Sequence, residues 1–362
     1  MSAHLETILA GRSICICVGS GGVGKTTTSA AIAVAMAQRG LKVAVLTIDP
    51  ARRLADSLGL AELGNVPSPV ELEEIEGEGE LWAMMLDPKA TFDEVIQRYS
   101  PDEESRQRIL GNRIYQQISG ALAGSQEYMA MEKLYELDED EDFDLLILDT
   151  PPSRNALDFL DAPRRVTQFV EGRAMRLFVR PTGFGARIAG RGFSVVSSVL
   201  RRVTGGDLIA DLSEFFSAMA VLLGGFRERA ERVEALLRDE RTTFLVVTGP
   251  AGEPVKEAGY LRGKLAEGDL PLGAVIVNRV HAAADAGDQR LLLADVIGDP
   301  DLRDRILAAY EGRRLLAARD RENVATLRSG SPGVPVFEVP ELSEEIHDLP
   351  GLAEFARLLM PA

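Results

Sequence analysis

Residues 19–26 read Gly-Ser-Gly-Gly-Val-Gly-Lys-Thr, set between a short apolar run, Ser13–Val18, and an alanine-rich stretch of helical period, Lys25–Arg39. The pattern G-x-x-x-x-G-K-[ST] constrains a fold tightly. It needs a strand to deliver it and a helix to leave from it, because its glycines let successive N–H groups converge where the helix dipole also favours an anion. The anion that suits such a concave set of donors is a phosphate. Gly19, Ser20, Gly21, Gly22, Val23, Gly24 and Thr27 line the loop in this reading, Lys25 reaches the outer phosphates of a nucleotide, and Thr26 offers its hydroxyl to Mg²⁺. A glycine-rich turn without a ligand is the alternative, and the register of strand, loop and helix argues against it.

The rest of the chain repeats this alternation. Val43–Ile48, Leu145–Leu148, Phe244–Thr248, Ala274–Val277 and Val334–Phe337 are apolar runs without polar alternation, the pattern of parallel strands buried on both faces. Gly40 follows the first helix as its C-terminal cap. Strand, helix, strand in that order implies a right-handed crossover, and so an α/β fold with a doubly wound, mostly parallel sheet. The expectation is a single P-loop ATPase domain over residues 1–362, carrying two helical insertions at 89–137 and 164–238 that break the alternation. The acidic run Asp138–Asp142 reads as a solvated connection.

Composition narrows the setting. A formal net charge of −16 disfavours nonspecific binding to nucleic acid, which recruits net basic surfaces. Cys15 and Cys17 are the only cysteines and fall two apart within one apolar run, too close to bridge comfortably, which points to a reducing compartment. The first residues are too polar for a signal peptide, and no run approaches the roughly 18 apolar residues of a spanning helix. A cytoplasmic location is expected.

Two aspartates stand where apolar runs end. Asp149 closes Leu145–Leu148, the position from which P-loop enzymes support Mg²⁺, and Asp49 follows Val43–Ile48 at the sheet edge where ligands of open α/β sheets bind. Asp49 could orient an attacking water, or simply form the turn before Pro50, with Arg52 and Arg53 solvated. With the Gly-Gly-Val-Gly-Lys-Thr-Thr core, the D-P-A-x-x-L-x-D segment at 49–56, Leu86-Asp87-Pro88, the D-T-x-P at 149–152 and the Val-Asn-Arg at 277–279, the chain resembles the arsenical-pump ATPase family, which includes the ATPases that target tail-anchored membrane proteins. The resemblance implies a dimeric ATPase using ATP and Mg²⁺. It makes Asp49 the first-switch aspartate used in hydrolysis, Asp149 the start of the second switch, both meeting the metal through water, and Asn278 the adenine-reading residue. A carboxamide suits that last task, since it donates and accepts at once. Pro340 is placed with the nucleotide-contacting residues.

Departures from the family pattern are also informative. Ser20 stands where relatives usually carry a lysine that crosses the dimer to the partner's nucleotide, which leaves three readings: a homodimer that hydrolyses ATP slowly, one that recruits another cation such as Arg154, or a heterodimer whose paralogous partner carries the lysine. Cys15 and Cys17, packed in a strand, cannot gather the thiolates of an arsenite or iron–sulfur site. Between Arg164 and Arg202 nine arginines face a single acid, Glu171, a cationic segment suited to anionic headgroups or an acidic partner. It precedes Phe215–Leu223, apolar around its whole circumference, which reads as core, as a dimer face or as a groove for an apolar client. The leading expectation is an ATP-switched carrier of a hydrophobic client with peripheral membrane contact. The alternative is a hydrolysis-poor regulatory subunit paired with a paralogous ATPase, and an anion or arsenite pump subunit ranks behind both.

Overall fold

In the computed structural model, which describes residues 4–49, 51–72, 77–113, 115–116, 126–140, 142–151, 228–282 and 298–361, every residue of β1 (Ile14–Val18) is buried. The same holds for β5 (Leu145–Asp149) and β6 (Thr242–Thr248), as unalternating apolar strands require when both faces of a sheet are covered. With β2 (Lys42–Thr47), β3 (Ser68–Val70), β4 (Glu80–Met85), β7 (Leu272–Val280) and β8 (Val336–Pro340) they form one eight-stranded sheet in the order β3-β4-β2-β5-β1-β6-β7-β8. The pairs β2/β5, β5/β1, β1/β6, β6/β7 and β7/β8 are parallel, and β3/β4 is antiparallel. The order reverses on either side of β1, so the loop leaving β1 opens at a switch point of the sheet, where such folds bind ligands.

The crossover helix α2 (Lys25–Gln38) is buried through Ala30, Ala31, Ala33, Ala35 and Ala37 as well as its larger apolar residues. Alanine's small side chain lets this helix lie close to β2 on one side and to α10 (Leu349–Leu359) on another. Its end is a Schellman turn. Gly40, at φ 89°, donates to Ala37 O at 2.9 Å and Leu41 donates to Met36 O at 3.3 Å, a conformation that glycine adopts without penalty. Further helices are α3 (Arg53–Ser57), which packs on α2, and α8 (Gly252–Glu267) and α9 (Pro300–Ser329), which pack on each other, while α1 (Leu5–Leu9) precedes β1.

Three details differ from the sequence reading. β3 and β4 lengthen the sheet at its edge, where a three-residue strand containing Pro69, paired with Trp82, gives no apolar run to recognise; proline, lacking an N–H, is accommodated at such edges. β7 and β8 each end three residues beyond the apolar runs read from sequence, so Asn278 and Pro340 lie within strands. The acidic run is partly helical, since α6 (Gln126–Asp140) continues through Asp138, Glu139 and Asp140. Acidic residues oppose the dipole at a helix C-terminus, but here Asp140 pairs with Arg98 at 2.7 Å and Glu139 accepts from Tyr135 Oη at 2.5 Å.

The chain divides into two compact units, one of Met1–Met84, Asp142–Ala156 and Arg238–Ala362, which holds the sheet, the other of Met85–Glu141 and Leu157–Leu237. The described part of the second is helical: α4 (Pro88–Tyr99), α5 (Glu103–Leu110), α6 and residues 228–238 (α7). The arginine-rich segment at 164–202, the apolar run at 215–223 and Arg154 lie outside the described residues.

An ion pair joins α6 to α7. Glu132, fully buried, accepts from Arg229 Nη2 at 2.6 Å and Nε at 2.7 Å on one oxygen, and from Tyr128 Oη on the other. The guanidinium lies 4.3 Å from the Tyr99 ring centroid and 5.1 Å from that of Tyr135, so the charge is satisfied by carboxylate and π faces together. Burial pushes the Glu132 carboxyl up to about 7 against the pull of the Tyr128 hydroxyl. Arg229→Met strands this carboxylate, and a loss of about 3–5 kcal/mol in urea unfolding at neutral pH is expected. The loss grows as pH rises through and above about 7, where Glu132 ionises beside the Arg229 cation in the parent chain but has no counter-charge in the variant. Adding Glu132→Gln recovers most of it, since the amide needs no counter-charge and still accepts from Tyr128; a pH-independent loss would contradict the account.

Candidate functional site

The loop from Gly19 to Thr26 is shaped by close approaches that exclude side chains. A Cβ on Gly19 would collide with the Val247 carbonyl of β6, and one on Gly24, at φ 93°, would collide with the Asn278 amide. Glycine is therefore needed at both positions for two different strands to press on the loop. Lys25 is buried, and its Nζ turns back to donate to the Ser20 carbonyl at 2.9 Å. Burial lowers its pKa, and the charges of Asp149 and Asp49 oppose that shift. Beside its own carbonyl, the Ser20 Oγ is buried without a hydrogen-bond partner.

Asp149 is 0 % exposed at the end of β5, and register places both Cys17 of β1 and Thr47 of β2 opposite it. Its Oδ2 accepts from Thr26 Oγ1 at 2.7 Å and from Thr47 Oγ1 at 3.0 Å, while Oδ1 is buried without a partner. Burial pushes this carboxyl up to about 6, against the pull of the two hydroxyls and of the Lys25 ammonium. An orphaned buried carboxylate oxygen beside a threonine hydroxyl is a hard-oxygen setting, which fits Mg²⁺ and the waters that the ion keeps. Asp49 follows β2, accepting from Ala51 N at 2.9 Å on Oδ1, so it closes its own turn as well as facing the site.

A cavity of about 730 Å³ brings these groups together. Of the residues anticipated from sequence, Gly22, Gly24, Lys25, Thr26, Thr27, Asp49, Asn278 and Pro340 line it. Gly19, Ser20, Gly21 and Val23 form the loop without lining it, and Asp149 lies beneath it, reached through Thr26. Asn278 is 4 % exposed and turned toward the loop: its Nδ2 donates to Val23 O at 3.0 Å and its Oδ1 accepts from Arg279 N at 2.9 Å.

Several lining residues were not anticipated. Arg53, read as solvated, faces the cavity, as do Arg279, the segment Glu341–His347 and Phe355. Arg279 sat beside Asn278 in the Val-Asn-Arg motif, which is the signal that could have found it; residues 341–347 carry Glu341, Glu344 and Glu345 but no motif that marks a nucleotide site. Thr47 was legible only as a strand residue, yet it holds the carboxylate on which the site is built. Cys15 and Cys17 are free and buried in β1, and among the described residues no group of three or more His, Cys, Asp or Glu is placed to hold a metal.

A strand, a phosphate loop, a helix and a strand-end carboxylate bound to the loop threonine define a P-loop nucleotide-binding protein of the α/β class. The chain belongs to the anion-transporting ATPase family, whose model matches residues 12–294. It is similar to the ATPase ASNA1 homolog of Trypanosoma cruzi, with 26% identity over 334 residues, covering 89% of this chain and 80% of that protein. It is likewise similar to ATPase GET3B of Arabidopsis thaliana, at 29% over 261 residues, or 67% of this chain and 58% of the relative. With ATPase ARSA2 of Chlamydomonas reinhardtii it shares 26% identity over 279 residues, 76% and 69% of the two chains. No helix among the described residues is long and apolar enough to cross a membrane.

Because its charge is desolvated in the ligand-free chain, Lys25 is a cost to the fold there. Lys25→Met is expected to melt at the same temperature as the parent chain or higher without nucleotide, and to lose the upward shift that Mg·ATP gives the parent. A shift of undiminished size in the variant would contradict the placement of phosphate at this loop.

Proposed function

We propose that this chain is a Mg²⁺-dependent ATPase whose hydrolysis cycle switches the carriage of a hydrophobic client, acting as a dimer. One observation carries the reading: the Thr26–Asp149–Thr47 network with its unpartnered buried oxygen, set directly behind a phosphate loop. Thr26 would hold Mg²⁺ directly, with Asp149 and Asp49 acting through its waters. Bound there, the ion would neutralise charge on the phosphate oxygens during transfer.

The chain's own residues supply the rest. Lys25 exchanges the Ser20 carbonyl for a phosphate, a charge-assisted contact that is stronger than the neutral one it leaves. Asp49, one oxygen engaged by Ala51 N, is held rigidly enough to orient a water for in-line attack. The strand ends bearing Asn278 and Pro340 accommodate the adenosine. The helical stretches at 89–137 and 164–238 serve as insertions of the ATPase domain and carry the client face. Membrane contact is peripheral in this reading, the location cytoplasmic and nucleic acid not a partner. Similarity to proteins named GET3B and ASNA1 homolog supports the client reading, and family membership supports the ATPase reading.

Ser20 favours a second reading. With no lysine at this position, a homodimer must recruit an arginine to stabilise transition-state charge, or else the chain works as a hydrolysis-poor subunit beside a paralog that carries the lysine. Turnover of the isolated chain, measured with and without such a paralog, separates the two.

Asp49→Asn tests the chemistry. The amide keeps the size and loses the charge that polarises water, so Mg·ATP affinity is expected to stay within a few-fold while single-turnover hydrolysis slows by about 100-fold or more. Collapsed affinity with normal single-turnover hydrolysis would instead make Asp49 a binding residue.

A further inference from the structure

Arg52 and Arg53 look alike in sequence, yet only Arg53 lines the cavity. Its backbone is tied to Asp49 through Ala51, whose N–H donates to Asp49 Oδ1 at 2.9 Å and whose carbonyl accepts from Arg53 N at 2.7 Å. Leu54 and Ala55, next along α3, are buried, so the short helix is anchored in the core while the Arg53 side chain stays exposed. Asp49 and Arg53 thus reach the same cavity from one braced turn.

Among the described residues, the lysine and arginine side chains that line the cavity are Lys25, Arg53 and Arg279. Two of them are engaged by the loop: Lys25 Nζ donates to the Ser20 carbonyl at 2.9 Å and Arg279 Nη1 to the Gly22 carbonyl at 3.3 Å. Arg53 has neither a side-chain hydrogen bond nor an ion pair with any described residue, not even with Asp56, three positions on and lining the same cavity. Its charge does not serve the helix, since a cation at a helix N-terminus opposes the dipole. It does not serve Lys25 either: the Arg53 charge adds to the lowering of the Lys25 pKa that burial begins. Like charges brought to one space without counter-charges are accounted for by a multiply charged anion that enters between them, and the loop at 19–26 is built for such an anion.

We propose that Arg53 is a catalytic residue, whose guanidinium closes in cis on the γ-phosphate of bound ATP and stabilises the charge of the transition state. This rests on the ATPase reading above, and it names the arginine that a self-sufficient homodimer calls for. Because Arg53 leaves the same turn as the water-orienting Asp49, its charge meets the phosphoryl group being transferred, on the side of attack. In the step, the water oxygen bonds to the γ-phosphorus while the bond to the β–γ bridging oxygen breaks, and ADP leaves with that electron pair. One proton of the water stays on the released phosphate and the other passes to solvent. A planar guanidinium donates to two oxygens of the transferring group at once. A long side chain that is free beforehand loses rotamer entropy when it closes, so the contact contributes little to ATP affinity and mainly raises the rate.

Single-turnover hydrolysis of Mg·ATP by the full chain, with calorimetry of Mg·ATP and of Mg·ADP with and without aluminium fluoride, tests the assignment. In Arg53→Ala hydrolysis is expected to slow by about 100-fold or more, while Mg·ATP and Mg·ADP affinities stay within about three-fold. Aluminium fluoride stands in for the transferring phosphoryl, so the tightening it gives Mg·ADP in the parent is expected to be lost in the variant. Arg52→Ala removes the neighbouring exposed arginine, which does not line the cavity, and is expected to keep both the rate and the tightening. Since Arg53 has no partner to lose, the ligand-free melting temperature of Arg53→Ala is expected to match the parent. Undiminished hydrolysis in Arg53→Ala would overturn the proposal, and so would an equal loss of affinity for all the ligands or an equal slowing in Arg52→Ala. A parent chain that neither hydrolyses Mg·ATP nor tightens on Mg·ADP with aluminium fluoride would overturn the ATPase reading and the role of Arg53 with it. That result is distinct from an active parent with an indifferent variant, which rejects Arg53 alone.

Discussion

The hydrogen bond from Thr26 to Asp149 joins residues 123 positions apart and fixes the first turn of α2 to the end of β5. A carboxylate that is fully buried needs partners that do not move, and Asp149 has one on each side: Thr26 from the helix that leaves the loop, Thr47 from β2 at the same sheet level. Sheet order makes this possible. β5 lies between β1 and β2, so the strand that delivers the acid neighbours both the strand that delivers the loop and the strand that delivers Asp49. The loop, the two strand-end aspartates and the helix N-terminus thus converge because one carboxylate is held where they meet.

Holding a charge in that place is costly. Burial raises the Asp149 carboxyl and lowers the Lys25 ammonium, each the less stable in its charged form for lack of water. Their mutual attraction offsets part of this, while one Asp149 oxygen stays without a partner. A buried polar group left unsatisfied needs an explanation, and for the Asp149 oxygen a metal ion with its waters is the one proposed above.

The fold was legible because β1, β5 and β6 are buried on both faces, and burial of that kind writes an uninterrupted apolar run into the sequence. β3 was not legible, since three residues with Pro69 at an edge need no such run. Identity and position were readable for Asp49 and Asp149 at the ends of strands, and for Thr26 in the first turn of the helix that leaves the loop. Partners were harder. Nothing in sequence shows that Asn278 bonds to Val23, 255 residues away, or that Thr47 holds Asp149. Arg279 was hidden for another reason: its contact with Gly22 depends on a positive φ that side-chain type does not announce in arginine. In the second unit, charge patterning misled. The acidic run Asp138–Asp142 read as a solvated connection, and cross-helix pairing with Arg98 carries α6 through its first three residues.

A crystal structure of the chain with Mg²⁺ and a non-hydrolysable ATP analogue tests the central claim most directly. The account predicts the analogue's phosphates within the loop at 19–26, Lys25 moved from the Ser20 carbonyl onto them, and the ion at the Thr26 hydroxyl with Asp149 behind it. An analogue bound elsewhere in the chain, or Lys25 still engaged with Ser20 in the complex, would contradict it.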